Sequence, residues 1–300
     1  MEQLKLSKRM NIEQTFQAIV FNCIEQIQSN EAGITKEYDA ESLHQMRVGL
    51  RRLHSALDLF KNILRLPDTL QQELDWLTTQ LSTARDWDVL TTSTLPSLIE
   101  TLAETDNDKN EMAELLLTAM SKTYEKHKTA AAAVRSQRYA SLIRILTNWT
   151  RHCGWRDAMS IQMQYCLQIK TTKFARNAIA LSQHNLLKRG KKLRTGSPQA
   201  RHRVRIAAKK MRYATEFFYS LGSVKRVQSF LTILSRFQDE LGRLNDAAVA
   251  KHLLKELVSE HAQLASSINS IRQYLTSEVS TDDKKIRHLW RKIALTKHPF

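Results

Sequence analysis

Glycine and proline are scarce in this chain of 300 residues, which contains seven glycines and four prolines. Hairpins and tight turns depend on these two residues, so their scarcity argues against a fold built of sheets. No apolar run approaches the roughly 20 residues that span a bilayer. The N-terminal MEQLKLSKRM also has no apolar signal core. The apolar spacing is helical nearly everywhere, and we therefore predict an all-α protein without a membrane partner.

Cysteine is equally scarce. Cys23, Cys153 and Cys166 are an odd number without a CxxC pair, which argues against a disulfide framework and against a zinc site. The chain also has no glycine-rich phosphate loop. We expect a reducing, cytoplasmic setting, with no cofactor and no bound metal.

Positive charge is abundant and unevenly distributed. The formal net charge is +16, and the segment 170–226 contains sixteen lysines and arginines but one acid, Glu216. A segment this lopsided repels itself unless an anion lies nearby. A run of charge is most often a solvated face, but here the cations recur at helical spacing within a repeated segment.

The repeated segment is the most informative feature of the sequence. HQMRVGLRRLHSALDLF, at 44–60, and HRVRIAAKKMRYATEFF, at 202–218, align without a gap at an offset of 158 residues. Cations match cations and apolar residues match apolar residues, and Asp58 pairs with Glu216. Both copies suit a helix, on which residues three, four and seven apart share a face. Each copy therefore predicts a row of cations beside an apolar seam, and the two acids are most simply partners that hold the cations extended.

The order of predicted elements also repeats. In each half a helix precedes the cation-rich helix, and a further helix then leads into an acidic turn. Asp86 lies in the first of these turns, ARDWDVL, and Asp246 in the second, LNDAAV. We predict a single domain over 1–300 made of two homologous helical bundles, at about 10–155 and 158–295, with about four to five helices each. Packing about a pseudo-two-fold axis would bring the two cationic rows to a shared cleft.

Four motifs in this order resemble the CHAD family, the conserved histidine α-helical domain. They are HxxRxxxRR at 44–52, HxxRxxxKKMRYATEFF at 202–218, RDWDVL at 85–90 and LGRLNDAAV at 241–249. The resemblance implies two helical bundles with a basic central channel that binds inorganic polyphosphate without catalysis. It also implies association with polyphosphate granules, whereas the number of subunits stays open.

The same resemblance assigns the binding residues. Carried onto this sequence, the residues that line the anion path are His44, Arg47, Arg51, His202, Arg205, Lys209 and Arg212. Arg52 and Lys210 are near neighbours of that path. The family pattern places a base ten residues after each histidine, where Arg212 fits and His54 is the weaker counterpart. We therefore expect the two halves to contribute unequally.

Two other functions stay open on the residues alone. The net charge suits a nonspecific nucleic-acid-binding protein or a binder of other polyanions, although the sequence shows no helix-turn-helix or other motif that recognises nucleic-acid bases. Asp86, Asp88 and Asp246 are candidate Mg²⁺ ligands of a polyphosphate hydrolase, but capping and ion pairing explain such residues more simply. Neither alternative explains the duplicated rows as directly as polyphosphate does.

Overall fold

The computed structural model describes residues 4–195 and 197–300, and within them the side chains of all but 194–195 and 278–284. This part of the chain contains no β-strand and is built of twelve α-helices. They are α1 (Ile12–Gln28), α2 (Glu31–Thr35), α3 (Ala40–Phe60), α4 (Asp68–Val89), α5 (Leu95–Leu102), α6 (Asp106–Arg135), α7 (Gln137–Arg151), α8 (Ile161–Cys166), α9 (Thr171–Gly190), α10 (Pro198–Phe217), α11 (Val224–Glu260) and α12 (Ala265–Leu295).

The two cation-rich segments are α3 and α10, and each begins at a side-chain cap. Asp39 accepts hydrogen bonds from the backbone N–H groups of Glu41 and Ser42 at the start of α3. Ser197 accepts one from Ala200 at the start of α10, where Pro198 fits the first turn. The all-α fold that we predicted is confirmed for the described residues.

The acidic segments are helical, so the expectation that they form turns was wrong. Helix α4 continues through Asp86 to Val89, and α11 continues through Asp246 to Glu260. Neither DWDVL nor LNDAAV contains a glycine or a proline, and apolar residues such as Trp87 and Ala250 are buried. Burial of these side chains outweighs the weak helix propensity of aspartate and asparagine. Both carboxylates therefore project from continuous helices, which fixes their direction.

The buried apolar side chains form two separate clusters. The larger one lies among α1, α3, α9 and α10 and the N-terminal parts of α4 and α11. The smaller one includes Trp87 and Leu90 at the end of α4 and Leu253, Leu254 and Leu257 towards the end of α11, together with α5, parts of α6 and α12. Helices α4, α6, α11 and α12 contribute to both clusters and so connect them.

Contacts between helices follow the order of the chain. Helix α1 packs on α3, α3 on α4 and α4 on α6, while α9 packs on α10, α10 on α11 and α11 on α12. The first set joins the second through the pairs α1 with α9, α3 with α10, α4 with α11 and α6 with α12. The two cation-rich helices therefore lie directly against each other.

Four phenylalanines lie where α1, α3, α9 and α10 meet. The ring centroids are 5.1 Å apart for Phe16 and Phe60, 4.6 Å for Phe60 and Phe174, and 6.0 Å for Phe174 and Phe218. Phe16 and Phe60 correspond to Phe174 and Phe218 at the 158-residue offset. Contacts between aromatic rings at these distances stabilise the junction beyond simple burial.

None of the described helices combines the length with the apolar character that crossing a bilayer requires.

Candidate functional site

Arg47 and Arg51 of α3 and Arg205 and Lys209 of α10 lie together where the two helices meet. We call these four side chains the cationic cluster. Lys209 lies within electrostatic reach of the other three, because the charges of Arg47, Arg51 and Arg205 all act on it. Arg47 also lies 4.0 Å from the carboxylate of Asp86. The residues predicted from both repeats therefore come together at one place.

Burial makes the positive charges of this cluster costly. It lowers the pKa of Arg47 to about 10, against the attraction of Asp86 and with the repulsion of Arg51. Burial also lowers the pKa of Lys209 to about 7, and the neighbouring charges of Arg205, Arg51 and Arg47 lower it further. The pKa of Arg205 is lowered by burial as well. Repulsion and lost hydration act in the same direction, so the cluster favours an anion beside it.

Three guanidinium groups of the cluster have unsatisfied donors. Nη1 of Arg47 and Nε of both Arg51 and Arg205 are buried, with no hydrogen-bond partner among the described residues. A buried donor without a partner costs roughly 1–3 kcal/mol, and native proteins contain few of them. Three such groups on two helices in contact are the kind of donor that the oxygen atoms of an anion accept from.

Two carboxylates lie beside the cluster, one from each half. Asp86 and Asp246 line the same small cavity of about 20 Å³ between α4 and α11. Burial raises the pKa of Asp86, and the charge of Asp246 raises it further. The described residues contain no group of three histidines, cysteines or acids that could hold a metal ion. The nearby cations, Arg47 and Arg205, are the closest electrostatic partners of this pair.

Asp88 has a different role from Asp86 and Asp246. Its side chain is buried and accepts a hydrogen bond from the hydroxyl of Tyr38, and its second oxygen contacts Nε2 of His127. The rings of Tyr38 and His127 stack with centroids 3.3 Å apart. Asp88 therefore anchors α4 to α6 and to the segment before α3.

The two signature histidines differ in exposure. His44 is half-buried, and its pKa is lowered by burial and by the charges of Arg85 and Arg51. His202 is exposed and lines a cavity of about 310 Å³ with Arg201, Arg205 and Lys251. Both histidines thus lie beside cations, and His202 opens onto this cavity.

Arg52 and Lys210 face away from the cluster. Arg52 donates to Oδ1 of Asn22 at 3.0 Å, and its guanidinium lies 5.7 Å from the ring centre of Phe217. Lys210 donates to Asp58 at 2.8 Å across the two halves. These two residues brace the packing of helices, and Asp58 does hold a cation as we predicted.

His54 and Arg212 occupy corresponding positions and each contacts the helix that follows. Nε2 of His54 lies 3.1 Å from Oγ1 of Thr78, and burial lowers the pKa of this histidine. Arg212 donates to Glu216 at 2.9 Å and to Gln238 at 3.1 Å. Both side chains are therefore already engaged, and a direct contact with an anion stays a prediction for them.

Two cations beside the predicted residues were missed. Arg85 acts electrostatically on both His44 and Arg47, and Lys251 lines the cavity next to His202. Arg85 belongs to the RDWDVL motif and precedes Asp86, so its position was readable. Lys251 lies on α11 at helical spacing from Leu244 and Ala248, but that signal appears only once α11 is known to be continuous.

A family model described as the CHAD domain matches residues 18–255 of the chain. Among solved structures, the crystal structure of the CHAD domain from the plant Ricinus communis is 35% identical with a TM-score of 0.86, over 100% of this chain and 97% of that one. PptA from Streptomyces chartreusis is 14% identical with a TM-score of 0.67, over 94% of this chain and 99% of that one, and shares the fold. A comparison with curated proteins found no match.

Proposed function

Because the chain belongs to the CHAD domain family, we propose that it binds inorganic polyphosphate, without catalysis, in a basic channel between its two halves. The observation that carries the proposal is the set of three buried, unsatisfied guanidinium N–H groups of Arg47, Arg51 and Arg205. Polyphosphate is a linear polyanion with no base or sugar, so a binder requires rows of cations and little else.

The pairing of equivalent helices supports a pseudo-two-fold arrangement. Four pairs that join the first set of helices to the second match elements at the same place in the repeat: α1 with α9, α3 with α10, α4 with α11 and α6 with α12. The four phenylalanines at the junction follow the same correspondence. We infer that the halves, at about 10–155 and 158–295, arose by duplication, although the first contains more helices than the four to five expected.

The position of the cationic cluster supports a channel. The helices α3 and α10 contribute to the larger apolar cluster, whereas Trp87, next to Asp86, belongs to the smaller one. The cationic cluster thus lies between two apolar bodies that α4 and α11 connect. A low-dielectric surround strengthens the attraction between the cations and a phosphate chain.

The remaining predicted residues extend the site in each half. His44 lies with Arg85, and His202 lies with Arg201 and Lys251. Arg52 and Lys210 support the helices indirectly through Asn22, Phe217 and Asp58. We place the first phosphates at Arg47, Arg51, Arg205 and Lys209, because arginine grips phosphate oxygens with a planar fork.

The state of the acids supports the proposal of a binding role rather than hydrolysis. Asp88, one of the three candidate Mg²⁺ ligands, is buried and bonded to Tyr38 and His127. Asp86 and Asp246 are two carboxylates beside arginines, and their simplest role is to compensate those charges while the site is free. Cytoplasmic location at polyphosphate granules follows from the family resemblance and belongs to the same proposal.

The test neutralises the cationic cluster. We expect the variant Arg47→Gln, Arg51→Gln, Arg205→Gln, Lys209→Gln to lose at least about 100-fold in affinity for long-chain polyphosphate, since each charged hydrogen bond contributes about 1.5–3 kcal/mol. The matched control neutralises four exposed cations of α9 and α11 by glutamine, at Lys173, Arg176, Lys188 and Lys225. Both variants have the same net charge, and circular dichroism checks that both fold.

Three results would contradict the proposal. Equal affinity of the two variants for polyphosphate would mean that the cationic cluster is not the binding site. Displacement of polyphosphate by DNA or RNA at equal phosphate concentration would favour a nucleic-acid-binding protein. Release of orthophosphate or shortening of polyphosphate in the presence of Mg²⁺ would replace binding with hydrolysis.

A further inference from the structure

We propose that two copies of this chain associate through helix α6, which presents an exposed apolar stripe and packs antiparallel against the same stripe of a second copy. The exposed stripe consists of Leu117, Met120 and Tyr124. This surface lies outside the cationic cluster, so the proposal does not depend on the proposed function. It assigns two subunits to a chain whose sequence leaves that number open.

The exposed stripe lies on the side of α6 that faces solvent. Leu117 is 67% exposed, Met120 52% and Tyr124 60%, although each has a large apolar body. Their spacing of three and four residues places them on one face of the helix. Leu115 and Ala119, two residues to either side of Leu117, are fully buried, so the stripe points away from the core. Exposed apolar side chains that are grouped in this way mark an interaction site, whereas single ones are ordinary.

The distribution of charge along α6 favours a second copy as the partner. Segment 106–117 contains four acids and one base, whereas segment 118–135 contains four bases and one acid. An antiparallel pair places the acidic part of each helix beside the basic part of the other, and a parallel pair would oppose like charges. The helix has no net charge in a chain whose net charge is +16, so two copies can approach each other on this face with little repulsion.

Two charged residues flank the exposed stripe in an arrangement that suits two-fold symmetry. Glu114 precedes Leu117 by three residues, is exposed, and has no ion-pair partner among the described residues. Lys128 follows Tyr124 by four residues, and its amine lies 4.5 Å from the centre of that ring. Because both copies present the same surface, a contact of Glu114 with Lys128 of the second copy occurs twice in the pair.

The register of the pair follows from these two contacts. Glu114 and Lys128 lie equally far along the chain from Ser121, so the two-fold axis passes close to that residue. Ser121 is exposed and small, which lets the two helices approach closely at the axis. In this register Tyr124 of each copy lies within one helical turn of Leu117 of the other. Contact between these two side chains removes both from water and stabilises the pair.

The experiment measures self-association of the full chain by sedimentation equilibrium. Polyphosphate is absent, so that a shared polyanion cannot bridge two copies. We expect a reversible equilibrium between monomer and dimer at protein concentrations up to about 200 μM, which cover dissociation constants in the micromolar range. A parent protein that stays monomeric throughout this range, or that forms assemblies larger than a dimer, would overturn the proposal.

Substitution of the exposed stripe tests the surface itself. Leu117→Gln, Met120→Gln and Tyr124→Gln together should raise the dissociation constant of the dimer at least about 100-fold, because less apolar area leaves water on association. The matched control replaces three exposed apolar residues of other helices by glutamine: Ile161, Tyr165 and Leu295. It should dimerise like the parent protein, and circular dichroism checks that both variants fold. Equal dissociation constants of the two variants would overturn the proposal.

Charge reversal tests the antiparallel register. Glu114→Lys places a second lysine opposite Lys128, and Lys128→Glu places a second glutamate opposite Glu114. Each variant alone should therefore dimerise at least about tenfold more weakly than the parent protein, because like charges meet at both contacts. A mixture of the two variants restores opposite charges between unlike copies and should form heterodimers with an affinity close to that of the parent. Two variants that do not rescue each other would overturn the antiparallel pair, whatever the affinity for polyphosphate.

Discussion

Lys209 is a residue on which charges from both halves act. Its amine is surrounded by Arg205 from its own helix and by Arg47 and Arg51 from α3, with Asp246 as the one opposing charge that acts on it. The pKa of about 7 places its titration at neutral pH. Binding of a polyanion favours the charged amine and so raises this pKa, which couples binding to uptake of a proton.

The first prediction concerns pH. Affinity for polyphosphate should fall as the pH rises from about 6.5 to 8.5, because a growing share of the free protein must take up a proton at Lys209 before it binds. Calorimetry in two buffers of different ionisation enthalpy measures the number of protons taken up. Lys209→Arg should flatten the dependence, since a guanidinium stays charged throughout this range. If the affinity of that variant keeps the same pH dependence, the dependence comes from a group other than Lys209.

The second prediction concerns stability. The lowered pKa of Lys209 means that the unfolded chain binds more protons than the folded one between about pH 7 and the ordinary lysine value. Stability of the free protein should therefore rise with pH across that range through this group. Lys209→Met should raise the free energy of unfolding at pH 7 by about 1 kcal/mol, because it removes a buried charge without a paired acid. Urea unfolding of the parent protein and of the variant measures this difference in the free energy of unfolding.

The control for that change is Lys210→Met, which breaks the ion pair with Asp58 and should leave stability unchanged or slightly lower. A loss of stability in both variants would contradict the view that Lys209 is strained in the free protein.

At the scale of elements, close packing of α1 on α3 depends on Gly49. A Cβ atom added there would lie 2.9 Å from Cγ1 of Ile27 and 3.3 Å from its backbone nitrogen. Ile27 is fully buried, and its β-branched side chain has little freedom to move. Helix α3 carries Arg47 and Arg51, so the close contact at Gly49 also fixes the position of these two arginines relative to α1.

The third prediction compares two glycines in helices. Gly49→Ala should lower the free energy of unfolding by about 1–3 kcal/mol, because the added methyl group overpacks the α1–α3 contact. Gly242→Ala on α11 should raise it by about 0.5–1 kcal/mol, since a Cβ atom there meets nothing within 4 Å. Chemical denaturation of both variants measures the pair. A gain of stability in both variants would mean that helix propensity, and not packing, decides the effect at Gly49 as well.

The sequence predicted the existence of these helices better than their ends. Alignment of the two copies located α3 and α10, because periodic apolar residues such as Leu50 and Met211 are buried as the pattern requires. It did not reveal that α4 and α11 continue through Asp86 and Asp246, since aspartate and asparagine signal turns by local preference. The helices continue because Trp87 and Ala250 are buried in the tertiary structure. A local sequence pattern does not show this burial.

At the scale of the whole molecule, the arrangement of charge makes binding sensitive to salt. The cationic cluster holds four cations, and Arg85, Arg201 and Lys251 lie close to them. Each phosphate that the protein neutralises releases condensed counterions, by analogy with nucleic acids.

The fourth prediction follows from that release. A plot of the logarithm of affinity against the logarithm of salt concentration should have a slope of about −3 or steeper, since four or more phosphates are neutralised at roughly 0.7–0.9 each. Neutralisation of the cationic cluster by glutamine should make the slope shallower by a similar amount. Fluorescence titration at four salt concentrations measures it. A slope near zero would mean that ionic contacts do not drive binding.

The duplicated rows predicted the chemistry of the site, whereas its geometry required the structure. Arg47, Arg51, Arg205 and Lys209 follow from the alignment, and the structure places them together. Helical geometry predicts that Lys209 and Lys210 point about 100° apart, but the pairing of Lys210 with Asp58 was not readable, because that partner lies 152 residues away. Long-range contacts of this kind decide which cation of a row remains for a ligand.

The four phenylalanines have a consequence for how the polypeptide assembles. The rings of Phe60 and Phe174 meet across the two halves, and the four phenylalanines occupy matching positions in the repeated sequence, so each half presents a face suited to a second copy of itself. Cleavage in the connecting segment 152–160 would leave two fragments. Each fragment could then associate either with the other fragment or with a second copy of itself. When the two fragments are mixed, the pair of unlike fragments should form in preference to pairs of identical fragments. The reason is that the hydrogen bond between Lys210 and Asp58 forms only between unlike fragments.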